Sequence, residues 1–150
     1  LDIAQTDSGL WADLGSGGGF PGMIVAILAA EKHPGLQVTC VESDQRKATF
    51  LRTVARETGV SATVVSERIE TLPPLNADVV SARALAPLPD LIGYASRHLA
   101  PEGLALFQKG TGQAKEIDLA LASWAFQLDT VPSRADRAST ILKLRSIRRV

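Results

Sequence analysis

Glycines and a proline follow a short apolar run near the start of the chain, and this stretch constrains the fold most. Residues 10–14 read Leu-Trp-Ala-Asp-Leu, residues 15–22 read Gly-Ser-Gly-Gly-Gly-Phe-Pro-Gly, and an apolar block from Met23 to Ala30 follows. The pattern predicts a buried strand, a tight loop and a helix whose first turn is set by Pro21. Glycines let a ligand approach the main chain closely, and open amides at a helix start favour an anionic or strongly polar group. We interpret the stretch as a cradle for a nucleotide or nucleoside.

The loop alone does not identify its ligand, because glycine-rich loops bind several kinds. A P-loop ends in Gly-Lys-Ser/Thr, where this chain has Phe20-Pro21-Gly22. A dinucleotide fingerprint can be placed on three of the glycines with Glu42, but it leaves Asp13 and Gly15 unexplained. An acid before Gly-x-Gly and a second acid ending the next strand make the chain similar to class I S-adenosylmethionine-dependent methyltransferases. A glycine-rich turn without a ligand is the remaining alternative.

Strand and helix patterns alternate along the rest of the chain. Strands are expected at 37–42, 62–66, 77–81, 104–107, 126–131 and 140–147, and helices at 23–32, 43–59, 87–99 and 114–123. We expect Ser43 to cap the second helix and Gly59 to end it, with turns at 6–9 and 101–103. The alternation predicts an α/β fold: a class I methyltransferase (Rossmann-like), doubly wound, mostly parallel seven-stranded sheet with an antiparallel C-terminal strand.

Length and composition indicate a single domain over residues 1–150. The chain is 45% hydrophobic and 21% charged, which is ordinary for a globular protein, and its sixteen basic and sixteen acidic residues balance. The balanced net charge therefore does not by itself indicate a nucleic-acid-binding protein. The single cysteine, Cys40, fits a cytoplasmic protein, and no apolar run is long enough to span a membrane. Because the chain begins at Leu1 without methionine, we expect that an N-terminal segment precedes it.

Polar residues follow the predicted strands at their carboxyl ends, where open parallel sheets bind ligands. Glu42 is expected to accept hydrogen bonds from ribose hydroxyls, although it could be a plain charge at a helix start. Ile69 and Glu70 could frame an adenine, or belong to a solvated loop. Arg83 directly follows a buried strand, where an unpaired charge is costly. The expected cofactor-binding residues are Asp13, Gly15, Gly17, Gly19, Phe20, Glu42, Ser43, Ile69, Glu70 and Arg83.

The predicted site has no evident nucleophile or general base. Cys40 lies inside a strand and is expected in the core, and His33 and His98 are expected at the surface. No cluster has the spacing of metal ligands, so we expect no metal. Such a site suits an acceptor that is already nucleophilic, such as N7 of guanine, which has a free lone pair and no proton to remove. No catalytic group is assigned; Arg83 and Lys109 are candidates for positioning.

These residues resemble the RsmG (GidB) family of bacterial 16S ribosomal RNA guanine-N7 methyltransferases. The resemblance implies S-adenosylmethionine as cofactor, contacted by Gly15, Phe20, Ile69, Glu70 and Arg83, with Glu42 on the ribose. It implies guanine 527 of the small-subunit RNA as target, and an N-terminal helical segment that is mostly missing here. The matching pieces are 13–22, 42–47 with 50–51, 68–70, 81–84, 109–110 and 141–144.

Basic residues concentrate near the end of the chain, and a solvated basic edge is the alternative to an RNA-binding role for them. The expected RNA-binding residues are Arg145, Arg148 and Arg149, in a terminal stretch that also holds Arg134, Arg137 and Lys143, together with Lys109 from earlier in the chain. The expected partner is 16S rRNA or the 30S subunit, with the chain a monomer and no membrane partner. Alternatives are a methyltransferase acting on a small molecule or protein, a nicotinamide-binding oxidoreductase and a catalytically silent nucleotide-binding domain.

Overall fold

Seven strands and four helices make up the part of the chain that the computed structural model describes, residues 8–17, 21–83, 86–110, 113–132 and 139–150. Every predicted element is present, with ends that differ by a few residues. The helices are α1 Gly22–Lys32, α2 Gln45–Thr58, α3 Leu88–His98 and α4 Gln113–Leu121. The strands are β1 Ser8–Leu14, β2 Gly35–Val41, β3 Ala62–Val65, β4 Ala77–Arg83, β5 Leu99–Lys109, β6 Trp124–Pro132 and β7 Thr140–Arg149.

The strands form one sheet in the order β3-β2-β1-β4-β5-β7-β6. All neighbouring pairs are parallel except those of β7, which runs antiparallel to β5 and β6. This arrangement confirms the predicted fold class. The chain leaves β1 towards one edge through β2 and β3, then returns to continue on the other side of β1 with β4. The strand order therefore reverses between β1 and β4, which is where such sheets bind ligands.

Two apolar clusters cover the two faces of the sheet, so the central strands are buried on both sides. Trp11 of β1 packs in the cluster under α1 and α2, whereas Ala12 and Leu14 pack in the cluster under α3 and α4. This alternation follows from the two-residue repeat of a strand. The sheet therefore lies between two layers of helices.

The ends of α2 confirm one expected cap and correct the other. Gly59 ends the helix in the left-handed conformation, with φ of +71°. The N-cap is Asp44 rather than Ser43: Asp44 Oδ1 accepts hydrogen bonds from the amides of Arg46 at 2.9 Å and Lys47 at 3.2 Å. A carboxylate suits this position because it also faces the positive end of the helix dipole.

Two expected turns are wrong in the described residues. Ser8 and Gly9 begin β1, paired with Gly35 and Leu36 of β2. Residues 101–103 lie inside β5, which begins at Leu99. Pairing with β4 is irregular there: Ala77 pairs with Leu99 and Val79 with Leu104, so five steps along β5 match two along β4. The main chain at Gly103 comes close to β4, since a Cβ there would lie 3.0 Å from the Ala77 carbonyl oxygen.

A single irregular residue in β7 changes which side of the sheet its side chains face. Ser146 has φ of +56°, and three steps along β7 there match two steps along β6. Leu142 and Leu144 are buried in the α3/α4 cluster, and beyond the bulge Ile147 packs against that cluster in place of Ser146. A bulge of this kind shifts the alternation by one residue.

Candidate functional site

A cleft of about 740 Å³ lies at the carboxyl ends of β1, β2 and β4, where the strand order reverses. The structure brings together there most of the residues that the sequence nominated for cofactor binding. Gly19 and Phe20 lie outside the described residues. The nominated residues that line the cleft are Gly15, Gly17, Glu42, Ser43, Ile69, Glu70 and Arg83.

Asp13 does not line the cleft, which corrects the expectation that it contacts the ligand. Its side chain is buried and turned towards α1: Oδ2 accepts a hydrogen bond from the Gly22 amide at 3.0 Å, and Oδ1 accepts one from the Ser81 hydroxyl at 2.8 Å. The Ser81 oxygen in turn accepts from the indole nitrogen of Trp11 at 2.8 Å. Burial raises the pKa of Asp13 to about 6, and its hydrogen bonds oppose that rise. Asp13 is therefore a brace between β1, β4 and α1.

The described amides of the glycine loop are used within the protein. The amides of Gly15 and Ser16 donate to the Val41 carbonyl oxygen, at 2.8 and 3.1 Å, and the Gly17 amide donates to Glu42. Gly22, at the start of α1, donates to Asp13. The expectation that these amides are open to an anionic ligand is thus wrong for these positions. These hydrogen bonds instead hold the loop backbone beside the end of β2.

Glu42 joins the glycine loop to the start of α2. Its Oε1 accepts from the Gly17 amide at 2.8 Å, and its Oε2 accepts from the Asp44 amide at 2.9 Å. The side chain is nearly buried yet lines the cleft. A carboxylate oxygen can accept more than one hydrogen bond, so both oxygens keep capacity for hydroxyl donors of a ligand.

Ile69 and its neighbours are held in place by the end of α3. The Ile69 carbonyl oxygen lies 2.9 Å from Nε2 of His98, and the Leu72 carbonyl oxygen accepts from Nε of Arg97 at 2.9 Å. His98 is fully buried, so the expectation of a surface histidine is wrong. Burial lowers the pKa of His98, which keeps the imidazole neutral in the core. The loop between β3 and β4 therefore presents Ile69 to the cleft from a fixed backbone.

Glu70 and Tyr94 form a polar edge beside Ile69. A hydrogen bond from its own main-chain amide, with others from Tyr94 and Arg68, holds the pKa of Glu70 below its usual value. Arg68 Nε lies 3.4 Å from Glu70 Oε2, and both side chains are exposed. Burial and the hydrogen bond to Glu70 raise the pKa of Tyr94. Glu70 thus stays ionised at the cleft mouth at neutral pH.

Several lining residues were not nominated from the sequence. Three cleft-lining side chains are basic and three are acidic, counted over the residues that the structure describes, so the cleft has no dominant sign of charge. Lys47 is the third residue of α2, five positions after Glu42, so its place near the cleft could be expected from the start of that helix. Tyr94 had no such signal, because its position depends on how α3 packs. The residues not nominated are Val41, Lys47, Glu67, Arg68, Ala86 and Tyr94.

Lys109 is buried in an ion pair, which corrects the expectation that it faces RNA phosphate. Its Nζ donates to Glu116 Oε1 at 3.0 Å and to the Ala86 carbonyl oxygen at 2.7 Å, and its side chain is 8% exposed. An ammonium held in this way has little capacity left for a phosphate on the surface. Lys109 keeps its second expected role, that of a positioning residue.

Arg145, Arg148 and Arg149 do not line the cleft, although Arg149 lines a neighbouring pocket of about 430 Å³ together with Glu70 and Tyr94. The register places Thr140 opposite Lys109 at the carboxyl end of β5, and Leu144 opposite Ala105. The last residues of β7 therefore run towards the amino-terminal ends of the parallel strands, whereas the cleft lies at their carboxyl ends. Arg149 stacks on Trp124, with its guanidinium carbon 4.6 Å from the ring centroid. Arg134 and Arg137 fall outside the described residues.

The remaining reactive groups do not form a second chemical site in the described ranges. Cys40 is buried as predicted, and burial raises the pKa of its thiol to about 11, so it is not a thiolate at neutral pH. Within residues 8–17, 21–83, 86–110, 113–132 and 139–150, His, Cys, Asp and Glu form no group of three that could hold a metal ion. None of the described helices is both long enough and apolar enough to cross a membrane.

The family match and the relatives that comparison with known proteins finds carry the same family name. Residues 2–140 match the family GidB, rRNA small subunit methyltransferase G. The chain is 56% identical over 141 residues to a protein named ribosomal RNA small subunit methyltransferase G from Cereibacter sphaeroides, covering 94% of this chain and 68% of that protein. A protein of the same name from a Ruegeria species is 53% identical over 147 residues, covering 98% and 72%.

The fold is also similar to that of solved structures with little sequence identity. A TehB-like SAM-dependent methyltransferase from Corynebacterium glutamicum superposes with a TM-score of 0.68 at 14% identity, covering 92% of this chain and 80% of that protein. At this identity the likeness concerns the fold.

Proposed function

The chain belongs to the GidB family of rRNA small subunit methyltransferases G, and from this premise we propose that it transfers a methyl group from S-adenosylmethionine to N7 of a guanine in small-subunit ribosomal RNA. Guanine 527 of 16S rRNA is the proposed position, from the resemblance of the sequence motifs. The cytoplasm, where this RNA is assembled into ribosomes in bacteria, is the proposed compartment. The observation that carries the proposal is the cleft at the reversal of strand order, which Glu42 and Ile69 line.

The described residues fit an adenosine-containing cofactor. Glu42 offers carboxylate oxygens at the end of β2, where ribose hydroxyls can donate to them. Ile69 offers an aliphatic wall for a purine ring, and the ionised Glu70 beside it can accept from an exocyclic amino group. Gly15 and Gly17 have φ of +68° and +48°, so the backbone comes close to the cleft without side chains. A volume of about 740 Å³ is large enough for a nucleoside of this size.

When bound, S-adenosylmethionine supplies a methyl group on a positively charged sulfur. The chain's own task is then to hold the acceptor in line and to exclude water. The described residues on the β4 side of the cleft are Arg83 and Ala86, and neither is a proton acceptor. An acceptor without a proton to lose, such as guanine N7, suits this wall. We assign Arg83 to positioning the acceptor nucleotide, whose phosphates a guanidinium can bind in bidentate fashion.

The direct test is methyl transfer from labelled S-adenosylmethionine to 30S subunits, naked 16S rRNA and a panel of small acceptors and proteins. Label in RNA that becomes cleavable by aniline after borohydride reduction identifies N7-methylguanine, and primer extension then locates it. Label confined to a small molecule or a protein would overturn the RNA assignment and favour the alternative. Calorimetry with S-adenosylhomocysteine and NAD separates a methyltransferase from a nicotinamide-binding enzyme. We also propose that the chain acts as a monomer, because one chain supplies both described walls of the cleft.

A further inference from the structure

We infer that Glu116 and Lys109 are positioning residues for methyl transfer, acting as a clamp on residues 86–88, the segment that leads into α3. The inference rests on the proposed function. The clamp is the ion pair between Lys109 Nζ and Glu116 Oε1 at 3.0 Å, together with its two bonds to the main chain. Nζ donates to the Ala86 carbonyl oxygen at 2.7 Å, and the Leu88 amide donates to Oε1 at 2.9 Å. One carboxylate oxygen thus ties the end of β5 to the start of α3.

The start of α3 depends on this remote carboxylate. Its N-cap residue is Pro87, which makes no side-chain capping hydrogen bond. The first amides of a helix have no partner inside the helix and need one from elsewhere. Glu116, on α4, supplies that partner to Leu88 and also places a negative charge at the positive end of the α3 dipole. The local sequence of α3 supplies no side-chain cap, and Glu116 of α4 takes that role.

The burial of the pair indicates that position, rather than stability, is what it contributes. The Lys109 side chain is 8% exposed and that of Glu116 27%. Removing such charges from water costs free energy, and buried ion pairs are often no more stabilising than apolar residues of similar size. Burial alone would raise the pKa of Glu116, but the bonds from Leu88 and Lys109 outweigh it and the pKa lies below its usual value. Glu116 therefore stays ionised at neutral pH and can accept from both donors.

The clamped segment is the acceptor side of the cleft. Ala86, whose carbonyl oxygen Lys109 holds, lines the cleft together with Arg83 at the end of β4. The opposite wall, with Gly17 and Glu42, makes no hydrogen bond to either member of the clamp. Loosening the clamp should therefore displace the acceptor relative to the methyl donor while leaving cofactor affinity unchanged. Misplacement by about 1 Å can reduce a rate by roughly a hundredfold.

The test compares Glu116→Gln and Lys109→Met with Asp118→Asn, an exposed control on the same helix. For both clamp variants we expect kcat with 30S subunits to fall about tenfold or more, with the Kd for S-adenosylhomocysteine within about twofold of wild type. The conservative variant Lys109→Arg should recover part of kcat. Amide hydrogen exchange over residues 86–92 should become faster in Glu116→Gln and stay unchanged in Asp118→Asn.

Two results would overturn the clamp. One is unchanged kcat in a variant whose exchange over 86–92 has become faster, and the other is unchanged exchange in Glu116→Gln. Wild-type protein that labels no RNA would instead refute the proposed function. Hydrogen exchange alone would then decide whether the clamp exists, since it needs no substrate.

Discussion

Asp13 and Gly22 are joined across the glycine loop by a hydrogen bond of 3.0 Å from the Gly22 amide to Asp13 Oδ2. The bond ties the end of β1 to the first turn of α1, so the loop between them has two fixed ends. It also explains why position 22 has no side chain. A Cβ there would lie 2.7 Å from Asp13 Oδ2 and 2.9 Å from Cys40 Sγ.

Gly22→Ala should therefore disturb both the fold and the cleft. We expect the free energy of unfolding to fall by about 1–3 kcal/mol, because the methyl group overpacks a buried contact. The affinity for S-adenosylhomocysteine should fall as well, since the loop that ends at Gly22 lines the cleft. Urea unfolding and calorimetry measure the two effects. Gly59→Ala is the matched control: a Cβ there meets nothing within 4 Å, so backbone strain should destabilise the protein without changing affinity.

Asp13→Asn should change how stability depends on pH. The pKa of Asp13 is raised from 3.8 to about 6 in the folded protein, so the folded state holds a proton that the unfolded state has lost between these values. The contribution of Asp13 to the free energy of unfolding of the wild type therefore falls as pH rises from about 4 to about 6, by roughly 3 kcal/mol in all. The Asn variant lacks this dependence. Between pH 5 and 7.5 the unfolding free energy of wild type, relative to the variant, should fall by roughly 1 kcal/mol or more. A pH-independent difference would contradict the raised pKa.

Glu42→Gln should weaken cofactor binding. Two main-chain amides donate to the carboxylate, one to each oxygen, and an amide side chain has only one oxygen to accept with. Its NH₂ group would face an N–H donor, and the charge that attracts ribose hydroxyls would be lost. We expect the Kd for S-adenosylhomocysteine to rise by about tenfold to a hundredfold. Glu57→Gln replaces an exposed acid near the end of α2, the helix that follows Glu42, and should leave this Kd unchanged.

The dependence of RNA affinity on salt should distinguish the cleft from the end of β7. Lys47 and Arg68 line the cleft, whereas Arg148 and Arg149 lie towards the amino-terminal ends of the parallel strands. The double variant Lys47→Ala/Arg68→Ala should reduce the slope of log affinity against log salt by about 1.4, as expected for two lost contacts to single-stranded RNA. Arg148→Ala/Arg149→Ala should leave the slope unchanged. The reverse result would restore the terminal arginines as the RNA-binding residues.

The order of elements and most of the cleft could be predicted from the sequence because both depend on local patterns. Apolar runs predict strands, and the carboxyl ends of parallel strands must meet at one edge, which places Glu42 and Ile69 together. The position of Arg149 also followed in principle, since an antiparallel last strand leads away from that edge. The surroundings of Lys109 and His98 did not follow. The first depends on Glu116, seven residues after Lys109 on the next helix, and the second on Ile69, 29 residues before His98; both contacts form only when the helices pack against the sheet.

Ser146, with its left-handed backbone, decides which face of the sheet the last charged side chains of β7 occupy. Upstream of it, odd-numbered positions such as Lys143 face away from the α3/α4 cluster; downstream, Ile147 packs against that cluster and Arg149 stacks on Trp124. Replacing Ser146 by a β-branched residue, which resists that backbone conformation, would favour a regular strand. The indole of Trp124 would then lose its cation, and a guanidinium would turn to the other surface of the sheet with no change in composition.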